Sequence, residues 1–152
     1  DALLLTEVIT TLRQTLDDNL IALVLFGSRA RGAARPDSDW DLLLVARDLP
    51  PPGLARHTYV KTMLPLTWRG RVAVLAKTKA EFESAVSPLF LDIALDGIIL
   101  WDTSGYMAKR LAYLRKLLGE RGLYREQRGS DLVWLWRTFP GYGWQLKWEE
   151  AI

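Results

Sequence analysis

The strongest constraint on this chain lies between residues 20 and 46. Two apolar runs of strand length, Ile21 to Phe26 and Leu42 to Ala46, bracket a polar stretch rich in Gly, Arg and Asp. The runs are continuous rather than alternating, the pattern of strands buried on both faces. Gly27-Ser28 breaks the first run, and Asp39-Trp40-Asp41 opens the second. Side chains in a strand alternate with period two, so Asp39 and Asp41 are expected on one face, a few ångströms apart.

The remaining pattern supplies the layers around such strands. Leu5, Val8, Ile9, Leu12 and Leu16 recur at helical spacing and predict an amphipathic helix over 2–18. Leu49-Pro50-Pro51-Pro52-Gly53 marks a connection, with a helix expected over 54–66 and a third strand over 71–76. Thr78 and Glu81 have the spacing of a capping box, and Pro88 opens a further short helix. A fourth strand is expected over 98–101. Met107, Leu111, Leu114 and Leu118 then place a helix ending at Gly119 or Gly122, with Lys109, Arg110, Arg115 and Lys116 on its solvated face. This order predicts an α+β domain, a small mixed β-sheet flanked by helices. Residues 1–122 read as its core domain and 123–152 as a Trp/Arg-rich C-terminal extension packed on it. The extension holds four of the seven tryptophans: Trp134, Trp136, Trp144 and Trp148. They suit either completion of the core or a binding patch.

Composition narrows the chemistry. With 152 residues the chain has the size of one domain. It has no cysteine and a single histidine, His57. Disulfides, thiolate metal sites and a multi-histidine zinc site are thereby excluded, and His57 itself reads as a surface residue. No apolar run is long enough for a transmembrane helix, so no membrane is expected, and a cytoplasmic protein is the default. A net charge of +2 is too balanced to argue for nucleic acid.

What remains is oxygen chemistry. Two carboxylates as close as Asp39 and Asp41 repel unless a cation sits between them. Mg²⁺ takes a pair of carboxylates together with phosphate oxygens. Gly27 lets a phosphate approach the backbone, and amides of the following turn can donate to it. Arg29, Arg31 and Arg35 add positive charge nearby. Metal and phosphate would meet in one place, as nucleotidyl transfer requires.

Residues 23–45 resemble the signature of the DNA polymerase beta-like nucleotidyltransferase superfamily, and more narrowly its minimal domains of bacteria and archaea. The pattern is a Gly-Ser pair, ten residues, then Asp-x-Asp, flanked by apolar strands; this sequence meets it without a gap. The resemblance implies the superfamily's fold and Mg²⁺-dependent transfer of NMP from an NTP, expected to be ATP, to a hydroxyl. Gly27, Ser28 and Arg29 are the expected nucleotide-binding residues, and Asp39 and Asp41 the catalytic and metal-binding ones. Proteins of this kind often accompany a HEPN-type partner as antitoxin to toxin, so a partner-protein hydroxyl is an expected acceptor. A homo-oligomer is a further expectation.

One departure stands out. Such enzymes usually carry a third carboxylate on a later strand, yet Arg71 to Ala76 contains no acid. Glu81, Glu83, Asp92 and Asp96 are the candidate substitutes. Without one, the chain reads as a nucleotide-binding, antitoxin-like interaction module.

Overall fold

The computed structural model describes residues 2–149. A single 3-10 turn leads into helix α1 (Thr6–Leu16). Strand β1 (Leu20–Phe26) runs into the short helical turn α2 (Ser28–Arg31), and β2 (Trp40–Ala46) follows the loop. Helix α3 (Leu54–Met63) carries the chain across to β3 (Val72–Thr78). Helices α4 (Lys79–Ser84) and α5 (Pro88–Asp96) precede β4 (Ile98–Asp102), and α6 (Tyr106–Arg121) follows it. Two further strands, β5 (Leu123–Arg128) and β6 (Asp131–Trp136), form a separate hairpin.

Among the described residues the main sheet has the order β3-β2-β1-β4. β1 pairs antiparallel with β2 and β4, whereas β2 and β3 are parallel. A parallel pair needs a crossover, and α3 supplies it. The expected mixed sheet flanked by helices is thus present.

The continuous apolar runs are explained by burial on both sides. Leu23, Leu25, Trp40, Leu42 and Leu44 face α1 and α3. Val24, Leu43 and Val45 face α4, α5 and α6 through Phe82, Phe90, Ile93, Met107, Leu111 and Leu114. Burial on this scale is worth about 25 cal/mol per Å² of apolar surface.

The expected solvated face of α6 needs correction at Arg110, which is 8% exposed. Its guanidinium lies 3.1 Å from Glu83 and stacks over Tyr106 and Trp148. An aromatic lining and one carboxylate satisfy a charge that helical periodicity alone assigns to water. His57 is exposed, as expected. Three of the four tail tryptophans complete the core. Trp134, Trp136 and Trp148 pack against the second apolar layer, while Trp144 is 53% exposed. No helix among the described residues is long and apolar enough to cross a membrane.

Candidate active site

The site forms where β1 ends and β2 begins. Antiparallel register sets Phe26 opposite Asp41, so the chain leaves β1 at Gly27 directly beside the Asp41 side chain. Gly27 has φ +74, and a Cβ built there would overlap Asp41 Oδ2. Only glycine fits this position, on both backbone and steric grounds. The Gly27 carbonyl accepts from Ala30 and Arg31 N–H at 3.1 and 3.2 Å, closing the turn of α2. The first N–H groups of such a turn have no partner within it; here they belong to Ser28 and Arg29.

Asp41 is half-buried. Burial first, then the neighbouring Asp39 carboxylate, push its pKa above the ordinary carboxylate range, and Arg31 pulls it part of the way back. Trp40, between the two acids, turns to the opposite face and is 1% exposed. It packs edge-on to Trp68 with ring centroids 6.1 Å apart. Trp40 thereby anchors both acids to the core through the backbone they share.

Arg29 occupies itself within the fold. Its Nη2 donates to the carbonyls of Ser38 at 2.9 Å and Pro36 at 3.2 Å, and its guanidinium lies 4.5 Å above the Trp40 ring. It ties the loop before Asp39 to the anchor after it. Arg31 is the arginine whose charge reaches Asp41, and it lies 3.8 Å from Asp96.

The expected substitutes for a third carboxylate are all engaged elsewhere. Glu81 completes the capping box with Thr78 and binds Arg56 Nη1 at 2.6 Å. Glu83 accepts from the Tyr106 hydroxyl and pairs with Arg110. Asp96 takes both terminal nitrogens of Arg125, at 2.6 and 2.7 Å. Asp92 accepts from Arg125 at 3.0 Å and from Trp134 Nε1 at 3.2 Å. Parallel register sets Ala73 beside Asp41. Registered residues of neighbouring parallel strands share a face, so Ala73 stands where a third acid could join the pair. Among the described residues no group of three or more His, Cys, Asp or Glu could hold a metal ion.

The donors do fit one hard cation. They are oxygen-only, and Asp41, its pKa raised first by burial and then by the Asp39 carboxylate, carries a charge that a cation would stabilise. Mg²⁺ commonly accepts one or two protein carboxylates when phosphates complete its shell.

The fold and this arrangement point to a nucleotidyltransferase-type domain. Residues 7–104 match the family described as polymerase beta, nucleotidyltransferase. The chain belongs to that family. It is also 28% identical over 119 residues to the Methanocaldococcus jannaschii protein named "Putative protein adenylyltransferase MJ1305", covering 76% of this chain and 81% of that one. A chain in a toxin-antitoxin crystal structure with AMP-PNP superposes with a TM-score of 0.52 at 23% identity, covering 76% of this chain and 90% of that one. A chain in the complex of a tri-AMPylated Shewanella oneidensis HEPN toxin with MNT antitoxin gives 0.51 at 21% identity, covering 80% and 92%. At these identities the two structures show the shared fold.

Sequence reasoning missed Arg56. It is buried, and it bonds the Pro50 and Ala76 carbonyls as well as Glu81. An arginine at the start of a helix following three prolines carries no pattern that announces such a role.

Proposed function

We propose that this chain transfers AMP from Mg²⁺-ATP to a hydroxyl of a HEPN-type partner protein. The observation that carries this reading is the packing of the Asp41 carboxylate against Gly27. It brings the carboxylate read here as a metal ligand against the turn whose first backbone N–H groups would meet the phosphates. The relatives named above support the nucleotide and the acceptor class.

In this reading Asp39 and Asp41 hold the cation, and the Gly27-Ser28 backbone takes the triphosphate. Arg29 acts at one remove by fixing the loop that presents Asp39. Mg²⁺, when bound, neutralises phosphate charge and polarises the α-phosphorus. The acceptor oxygen bonds to that phosphorus in line. The bond to the bridging oxygen breaks, pyrophosphate leaves with the electron pair, and the hydroxyl proton passes to solvent. Catalysis here is chiefly positioning and charge.

Ala73 favours a second reading, in which the chain binds the nucleotide and its partner without turnover. Incubation with Mg²⁺, α-labelled ATP and a HEPN partner separates the two. Label on the partner is expected. Retained nucleotide binding with no label on any acceptor would establish the second reading. Asp39→Asn with Asp41→Asn should weaken Mg²⁺-dependent ATP binding by at least about tenfold, or about 1.4 kcal/mol. Equal binding by that double variant would show the site assignment to be wrong.

A further inference from the structure

The main sheet ends on one side at β3, whose outer edge meets no other strand among the described residues. Its hydrogen-bonding groups can be assigned by alternation. The Arg71 carbonyl accepts from Trp40 N–H at 2.9 Å, so residues 71, 73, 75 and 77 turn their backbone groups toward β2. Val72, Val74 and Ala76 turn theirs outward. The Ala76 carbonyl does accept from the Arg56 side chain at 3.3 Å, as that assignment requires. Val72 and Val74 present an N–H and a C=O each along the open edge.

A groove of about 570 Å³ runs along this edge, between β3 and α3. Its floor is apolar, from Val60, Leu64, Val72 and Val74. Lys61, Arg69, Lys77 and the Glu81-paired Arg56 are its basic groups, and Asp39 is the one acid among the described lining residues. The groove therefore opens at the candidate active site. Ala73, which also lines it, sets only a methyl group between the edge and Asp41. A strand added to β3 would lie two strand spacings from β2, about 10 Å, within reach of a side chain crossing over Ala73.

We propose that the free edge of β3 docks the acceptor polypeptide: an extended, acidic segment pairs with Val72 and Val74 as an added strand and presents its hydroxyl across Ala73. The inference rests on the transferase reading above and names how the acceptor arrives. Backbone pairing at an exposed edge supplies affinity that is indifferent to sequence, and pockets beside it supply selectivity. The basic rim selects acidic side chains. A nucleic-acid strand fits less well, because bases need aromatic platforms and no Phe, Tyr or Trp occurs among the described lining residues.

The test uses the copolymer poly(Glu,Tyr) as probe, with poly(Lys,Tyr) and oligo(rA) as comparators. Binding is followed by fluorescence anisotropy and by amide hydrogen exchange. Poly(Glu,Tyr) should bind at least tenfold more tightly than either comparator. It should slow exchange at Val72 and Val74 while leaving Ala73, already turned toward β2, unchanged. Val74→Pro removes one outward N–H and no bond to β2, a substitution edge strands accept. It should weaken binding at least tenfold, with Mg²⁺-AMP-PNP affinity kept. Lys61→Glu with Lys77→Glu should do the same through charge, and serves if the proline variant fails to fold. Absent poly(Glu,Tyr) binding, unslowed exchange at Val72 and Val74, or full binding by the charge-reversed variant would overturn the proposal. Tighter binding of oligo(rA) would overturn it in favour of nucleic acid. Mg²⁺-AMP-PNP affinity is read separately, so a failed nucleotide site and a failed docking edge give different results.

Discussion

Gly27 and Asp41 compete for one volume, and only the absence of a Cβ at residue 27 settles the competition. Gly27→Ala adds a steric overlap to a backbone (φ +74, ψ −159) that is essentially reserved for glycine and costs an L-residue roughly 1–3 kcal/mol. The variant should lose about that much stability in denaturant unfolding, and its Mg²⁺-ATP affinity should fall with the displaced carboxylate. Ala73 invites the opposite experiment. An aspartate there would share a face with Asp41 one strand away, so Ala73→Asp should raise the rate of label transfer without weakening nucleotide binding. An unchanged rate would mean that this position does not limit turnover. At this scale the sequence was informative where spacing decides geometry. Asp-Trp-Asp at a strand start forces two acids to one side and the indole to the other. What could not be read is that the Arg29 guanidinium closes on the carbonyls of Pro36 and Ser38. That outcome depends on how the 32–39 loop folds back, which no periodicity encodes.

Elements with internal period or terminal chemistry could be read in advance. The helix of residues 6–16 follows its apolar spacing, and the Thr78–Glu81 capping box is formed in both directions. Losing that cap through Thr78→Ala should cost about 1 kcal/mol. Its glutamate also carries a pH signature. The Arg56 hydrogen bond first, then the Thr78 backbone, hold Glu81 down at about 2, against an ordinary value of 4.5. A depressed carboxylate stabilises the fold above its unfolded pKa and loses that contribution as protons bind. Melting temperature should therefore fall as pH drops from 4.5 toward about 2, and Glu81→Gln should flatten that part of the profile. A slope unchanged in the variant would remove Glu81 as its source. The hairpin of residues 123–136 escaped the reading, although a signal existed. Gly129-Ser130 links Arg128 to Asp131, Gly129 has φ +62, and Leu132, Trp134 and Trp136 alternate. The mixed polarity of Leu123 to Arg128 hid it, because that strand buries little beyond its first residue.

One ion-pair cluster ties the hairpin to the rest of the molecule. Arg125 of the hairpin grips Asp96 and Asp92 of α5, and Asp96 in turn lies within 3.8 Å of Arg31, whose charge reaches Asp41. Arg125 and Asp96 are each 13% exposed. Removing Arg125 leaves Asp96 only the longer contact to Arg31, and breaking so buried a pair typically costs about 3–5 kcal/mol. Arg125→Ala should lower stability by roughly 3 kcal/mol, seen as a shifted denaturation midpoint. A shift within experimental error would mean that the hairpin is held by its tryptophans alone. A chain made from its N-terminus completes all four strands of the main sheet before Arg125 exists. At that moment Asp96 lacks its Arg125 partner, and the apolar layer has yet to receive Leu123, Trp134, Trp136 and Trp148. On the ribosome, the candidate site would thus be outlined early, while the ion pairing around it matures only as the hairpin docks.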